Sequence, residues 1–295
     1  MPLPPSLGKD CAISANSRPF KCSTRVTDHD DNHSVWCRIL AEAEEAIESE
    51  PFLAAVIGES VTERPNLTEA ICYRVASLLV PRKEEQLLLT AITPLTDGNS
   101  SILARAHTDI MAVLDRDPAT TKALHVFLHL KGFLALQAHR ISHALWLAGR
   151  RDLALYLQGC TSRALQVDVH PAARLGAGIF LDHAAGIVIG ETCVVEDDVS
   201  ILQNVTLGGT GKETGDRHPK VRRGVLIGAG ATILGNIEIA ANARIGAGSV
   251  VVKPVREGET VAGIPARALG SNLNPPAQSL EHVFESGPPF YDFGV

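Results

Sequence analysis

Between Gly178 and Gly190 the chain reads GIFLDHAAGIVIG, and Asp182 and His183 are the two ionisable side chains in that run of small and aliphatic residues. An imidazole titrates near neutral pH and can take a proton from a weak nucleophile as it attacks. An Asp-His pair in such a strand-like segment reads either as a hydrogen-bonded pair on a solvent face or as a catalytic site. Asp168, in QVDVHP, precedes His183 by 15 residues, three short of the 18 in three six-residue steps. The two can therefore lie near one another on adjacent coils of a repeat. Further on, GDRHPK sets Arg217 beside His218. A guanidinium grips a carboxylate in a planar, bidentate way.

Two more histidine pairs, His125/His129 and His139/His143, stand four residues apart at helical spacing. Neither has the glutamate of H-E-x-x-H or an evident third ligand, so helix packing or solvent contact accounts for them better than a metal does. The six cysteines are scattered without a C-x-x-C pair, which argues against a disulfide framework or a zinc knuckle and for a reducing compartment.

The elements that must carry these residues fall into two halves. The 295-residue chain is 45% hydrophobic, and its net charge of −6 comes from 27 Lys+Arg against 33 Asp+Glu without a basic cluster. Nucleic acid and anionic membrane are poor partners for such a surface. No apolar run nears the roughly 20 residues of a membrane span, and the front of the chain lacks a signal-like apolar core, so a soluble, unsecreted protein is expected. Residues 1–33 are polar and rich in Pro, Ser and Asp, and read as a disordered arm. From residue 34 to 165 apolar residues recur at helical spacing, as at Leu67, Ile71, Val75 and Leu78. Breaks at Glu50-Pro51, Arg64-Pro65, Val80-Pro81, Thr93-Pro94, Gly98-Asn99 and Asp117-Pro118 divide this half into about six helices. The longest near-continuous pattern runs from Leu124 to Leu157.

After Gln166 the texture changes, and 17 of the 25 glycines lie between Gln166 and Gly270 among β-branched residues. Stepping by six gives Val169, Leu175, Leu181, Ile187, Cys193, Val199 and Val205, and again Ile227, Ile233, Ile239, Ile245 and Val251. Such a hexapeptide period is a β-helix signature, with coils stacked to bury the aliphatic row. The two trains are 22 residues apart, not a multiple of six, so the polar loop Gly208 to Arg223 is inserted between them.

LDHA-x-G-IVIGET, GGTGK-x₂-GDRHPK and the upstream RDPAT and HLKGFLALQAHRISHALW together resemble the serine acetyltransferase family of hexapeptide-repeat acyltransferases, from about Val35 to Gly270. The resemblance implies an α+β architecture: an all-helical oligomerisation domain (34–165), then a left-handed parallel β-helix that is the catalytic domain (166–270). It implies acetyl transfer from acetyl-CoA, as cosubstrate, to the hydroxyl of L-serine in cysteine biosynthesis, without a metal. L-cysteine is the expected feedback inhibitor, and a homotrimer or a hexamer of two trimers the expected assembly. By match to the family's motifs, His183 is the general base and Asp168 orients its imidazole. Arg217 grips the serine carboxylate, His218 contacts serine as well, and Asp182 and Asp117 hold the amine. For Asp117 the residues alone favour a helix N-cap before Pro118. Gly209, Thr210, Ala229 and Ala247 match coenzyme A positions, and their small side chains equally suit coil corners. Cys193 falls on the six-residue step, in the core, so direct transfer is expected rather than an acetyl-cysteine intermediate.

Three rival readings share the scaffold: a zinc hydrase using His170, His183 and His218, an acetyltransferase for another acceptor, and a regulatory scaffold that only binds cysteine synthase. Residues 271–295, with Pro275, Pro276, Pro288 and Pro289, read as a flexible tail. In the resembled family such a tail ends in isoleucine and enters cysteine synthase; here it ends in Val295, one methylene shorter. The expected location is the cytoplasm, with a plastid or other organelle left open.

Overall fold

A computed structural model describes residues 30–97, 100–211, 214–271 and 275–280. The expected disordered arm, but for residues 30–33, the Gly98-Asn99 break and the end of the tail with Val295 lie outside the described residues.

The first half is helical: α1 (Asp30–Ser49), α2 (Ala54–Ile57), α3 (Leu67–Leu79), α4 (Arg82–Asp97), α5 (Ser100–Arg116), α6 (Ala123–His129), α7 (Lys131–Leu147) and α8 (Arg151–Leu165). Local signals set several ends. Asn66 caps α3, its side-chain oxygen accepting the Glu69 N–H at 2.9 Å while its amide donates to the Glu69 carboxylate. The same helix stops at Val80, before Pro81.

Two expectations about this half do not hold. Pro94 lies inside α4 and does not break it. A mid-helix proline costs roughly 3 kcal/mol, but Leu88 and Ile92 on the same helix are buried and hold it in place, while the proline ring faces solvent. The pattern from Leu124 to Leu157, in turn, is three helices, parted at Leu130 and at Ala148–Arg150. The long helix α7 seats directly on the second half: a Cβ at Gly132 would stand 2.0 Å from the Leu181 carbonyl oxygen, so only glycine permits that approach.

The second half is a parallel β-helix whose strands form three faces. Face A stacks β1 (Val167–Val169), β4 (Ile187–Ile189), β7 (Thr206–Gly208), β10 (Thr232–Leu234) and β13 (Val250–Val251). Face B stacks β2 (Arg174–Leu175), β5 (Val194–Val195), β8 (Lys220–Val221) and β11 (Glu238–Ile239). Face C stacks β3 (Phe180–Leu181), β6 (Ser200–Ile201), β9 (Leu226–Ile227), β12 (Arg244–Ile245) and β14 (Glu259–Gly263), closed by the antiparallel β15 (Ala266–Ser271). The short helix α9 (Pro276–Ser279) follows, in a stretch read from sequence as irregular tail; Pro276 and Ala277 are buried there.

All twelve positions of the six-residue steps are buried, but they are not one row. Val169 pairs with Ile189, Leu175 with Val195 and Leu181 with Ile201, so the first coil has twenty residues rather than eighteen. Both inward positions of each strand are aliphatic, so a six-residue step from Leu181 lands on the other row, and the slip passes unnoticed in the sequence. The two extra residues sit in the corner Asp182–Gly186, where the candidate base is. The polar loop is the other irregularity: Val194 pairs with Lys220, 26 residues on, so eight residues are added there.

A buried ion pair joins the halves. Asp109 of α5 accepts from Arg140 and Gln137 of α7 and from the Ile179 backbone N–H, and Arg140 also donates to the Gly176 carbonyl. Burial pushes the Asp109 carboxyl up, against the Arg140 guanidinium that holds it down.

Candidate active site

The corner between faces C and A carries Asp182 and His183. Its two additional residues force an unusual path: His183 and Ala184 both adopt left-handed backbone conformations, with φ of 54° and 60°. Such conformations cost a non-glycine residue about 1–3 kcal/mol and cluster at functional sites. Backbone bonds hold the corner, from Gly186 N–H to the Gln166 carbonyl and from Asn204 N–H to the Ala185 carbonyl. The result is a projecting imidazole, 77% exposed, with Nε2 3.8 Å from Asp182 Oδ1.

Asp168 lies in mid-strand on face A, at the level of Val188. Its Oδ1 accepts from Gln158 of α8 at 2.6 Å. Asp168 and His183 thus stand near the two ends of the same twenty-residue coil, not on adjacent coils as the spacing suggests, and Asp168 bonds to the helical half. Asp117 follows the end of α5. It is not a helix N-cap: its carboxylate accepts from the Ala119 N–H and the Thr120 hydroxyl in a local turn, and Lys122 occupies the N-cap of α6. Arg116 pins this turn to the β-helix through the Gly178 carbonyl, Ser200 and Asp198.

The second group of residues sits at the corner between faces A and B, where the eight-residue addition folds back. Arg217 donates to Glu191 at 2.8 Å and to the Gly215 carbonyl. The Thr192 hydroxyl accepts the backbone N–H groups of Arg217 and His218, and its oxygen lies 2.9 Å from His218 Nδ1. Lys220 clamps the loop through Asp216 and the carbonyls of Thr192 and His218. The Cδ2–Nε2 side of the His218 ring lies against Gly190, where a Cβ would stand 2.1 Å from both atoms. Burial, and then the Arg217 charge, lower the basicity of His218; the hydrogen bond from Arg217 holds the Glu191 carboxyl below its usual range. His170 is beside them, its ring edge-on to Trp146 at 5.2 Å, and burial lowers its basicity too.

The two clusters are on different edges of the prism. Ala229 and Ala247 stack along the edge of His183, with Gly248 N–H donating to the Ala229 carbonyl. Gly209 and Thr210 lie on the edge of Arg217 and His218: a Cβ at Gly209 would touch Arg217, and Thr210 covers Gly235. One chain therefore does not bring Arg217 and His218 to His183, and the acceptor and cofactor positions divide between the edges in the same way. The zinc trio divides likewise, with His183 on one edge and His170 and His218 on the other. Cys193 is buried, and burial pushes its thiol up to about 12, out of nucleophilic use.

Sequence reasoning missed Glu191 and Thr192, which hold Arg217 and His218 in place. The string IVIGET that contains them was quoted as part of a motif, but nothing in the residue types says that a threonine hydroxyl faces a loop some 25 positions away.

A family model for the serine acetyltransferase N-terminal domain matches residues 35–138, and one for bacterial transferase hexapeptides matches residues 218–253. A curated serine acetyltransferase of Salmonella typhimurium is 49% identical over 262 residues, covering 86% of this chain and 96% of that protein. The chain also superimposes on a solved serine acetyltransferase in complex with cysteine (TM-score 0.84, 50% identity, 86% and 99% covered). A solved serine acetyltransferase of Brucella abortus in complex with coenzyme A is as similar (TM-score 0.81, 49% identity, 83% and 99% covered).

Proposed function

The chain belongs to the serine acetyltransferase family, and on that premise we propose how its two edges divide the reaction. The enzyme transfers the acetyl group of acetyl-CoA to the hydroxyl of L-serine, in cysteine biosynthesis, giving O-acetylserine and CoA. An alcohol is a weak nucleophile at neutral pH, so His183 takes the serine hydroxyl proton as the oxygen attacks the thioester carbon. The tetrahedral intermediate then expels the CoA thiolate, which the imidazolium protonates. Asp168 orients and stabilises that imidazolium. Arg217 holds the serine carboxylate by a bidentate pair, with Glu191 setting the guanidinium plane and His218 donating beside it. Asp182 and Asp117 take the ammonium group. Gly209, Thr210, Ala229 and Ala247 let the pantetheine arm of CoA run close to the backbone.

The observation that carries this reading is the split itself: base and carboxylate grip stand on different edges of one prism, and both flank face A, where Val188 is 40% exposed. Packing face A about a threefold axis sets the His183 edge of one copy against the Arg217 edge of the next, so each site takes residues from two chains. The trimer is accordingly the catalytic unit. Exposed Phe52, Val56 and Leu87 on the helical half give an apolar surface by which two trimers pair into a hexamer. The domain roles follow, residues 34–165 assembling the enzyme and 166–270 catalysing.

Subunit mixing tests this. His183→Ala and Arg217→Ala enzymes, each nearly inactive alone, are unfolded and refolded together. Shared sites predict recovery of a sizeable part of wild-type activity, because hybrid trimers contain sites with both residues intact. Two variants that stay inactive after verified exchange place the whole site within one chain.

L-cysteine carries the same carboxylate and ammonium as serine with a thiol for the hydroxyl, and fits the same contacts as a feedback inhibitor. The C-terminal carboxylate at Val295 is the proposed contact with cysteine synthase, checked by binding a peptide of the last ten residues against its amide. No described helix is long and apolar enough to cross a membrane. The scattered cysteines favour a reducing compartment, the cytoplasm or an organelle such as the plastid.

A further inference from the structure

We propose that Thr192 is a positioning residue that fixes the tautomer of His218, keeping its proton on Nε2 and presenting that N–H to the serine carboxylate. The proposal rests on the reading of His218 as a serine-binding residue.

The hydrogen bonds around Thr192 leave little freedom. Its hydroxyl oxygen accepts two backbone N–H groups, from Arg217 at 3.0 Å and His218 at 3.1 Å. A hydroxyl has two acceptor positions and one proton. With both acceptor positions filled, the hydroxyl proton is shared between His218 Nδ1, 2.9 Å away, and the Asp216 carboxylate, which Thr192 helps hold below its usual range. The Thr192 backbone N–H points at Nδ1 from 3.2 Å. Nδ1 thus faces a backbone donor and must offer a lone pair. In a neutral imidazole the proton then sits on Nε2. An imidazolium would set an Nδ1–H against the Thr192 N–H, two donors facing each other.

The surroundings act in the same sense. Burial disfavours the charged ring, and so do Arg217 on the same loop, Lys220 on β8 and His170 at the end of β1; Glu191 is the one neighbour that favours charge. The Cδ2–Nε2 side of the ring lies against Gly190, and a flipped ring would lose the Thr192 bonds. Thr192 therefore does two things at once. It ties the backbone of the Arg217–His218 dipeptide to the GET corner, and it decides which nitrogen of His218 meets the ligand. A valine matches the shape of threonine but supplies neither the acceptor nor the donor. A serine supplies both.

The test begins with the wild-type enzyme labelled with ¹⁵N-histidine, the His218 signals being identified by their loss in His218→Gln. At pH 7.5 the Nδ1 shift is expected to be that of an unprotonated ring nitrogen; a proton on Nδ1 overturns the proposal, whatever any variant does. Kinetics and calorimetry then separate Thr192 from His218. Thr192→Val is expected to raise the serine KM roughly tenfold or more and weaken L-cysteine binding to the same extent, with kcat within about threefold. It is also expected to move the acid limb of kcat/KM upward by about half a pH unit, as Nδ1 loses its hydroxyl donor. Thr192→Ser is expected to restore all three. If His218→Ala itself leaves the serine KM and cysteine affinity unchanged, the reading of His218 fails. If His218→Ala is impaired but folded Thr192→Val matches wild type, the Thr192 assignment alone fails.

Discussion

At the scale of the residue, position within the corner matters more than residue type. His183 and His139 are the same side chain, yet one projects into solvent from a left-handed corner and the other is a buried residue of α7, where burial holds its basicity well below the ordinary value. Only the first can meet a substrate. His183→Ala is expected to lower turnover by roughly two to four orders of magnitude, because the proton transfer alone is lost. The corner backbone is built by main-chain bonds that do not involve the imidazole, so the melting temperature and assembly should be unchanged. Steady-state kinetics beside sedimentation check this, and turnover within threefold of wild type removes His183 from the base role. The pair Arg217 and Glu191 teaches a related point. The carboxylate orients a guanidinium, so in the proposed site it would act on the ligand only through Arg217.

At the scale of the element, the helical half is fastened to the first coil at points that bracket the site. Gly132 seats α7 on β3, Arg116 binds the coil beside the Asp117 turn, and Asp109 with Arg140 forms a buried pair under the corner at Gly176 and Ile179. Removing one partner of such a pair strands the other charge out of water, which typically costs 3–5 kcal/mol. Asp109→Asn is therefore expected to lower stability by about that amount, read as a shift in the denaturant midpoint. A double change to Asp109→Leu and Arg140→Met should recover much of it, since an apolar pair leaves no charge behind. A single variant as stable as wild type would show that the halves are held by apolar packing alone.

At the scale of the whole molecule, three histidines share one sign. Burial lowers the basicity of His139, His170 and His218 in the folded chain. An unfolded chain takes protons at these positions from about pH 6.5 downward, while the folded chain refuses them, so the unfolded state binds more protons there. Stability contributed by the neutral rings is complete above about pH 6.5 and is lost as pH falls below it. Calorimetric melts are expected to drop by several degrees between pH 7.5 and 5.5, reversibly. His139→Leu, which removes the most deeply buried ring, should flatten that slope. A melting temperature that rises on acidification would contradict the sign.

What the sequence determined by itself is the local chemistry and the local period. Prolines at 81 and 118 end helices, alternating aliphatic positions make coils, and the strings around His183 and Arg217 carry the family's motifs, because each of these is written within a few neighbouring residues. Four matters were decided only in three dimensions. Pro94 stays helical because distant packing outweighs its local cost, and Asp117 binds its own turn because α6 begins later than the proline suggested. The two-residue slip at Asp182–Gly186 was hidden because both inward rows of a β-helix are aliphatic, and only strand pairing tells them apart. The division of the site between two edges was hidden for a deeper reason: a repeat of six residues says which side chains point outward, but not around which edge of the prism each corner turns.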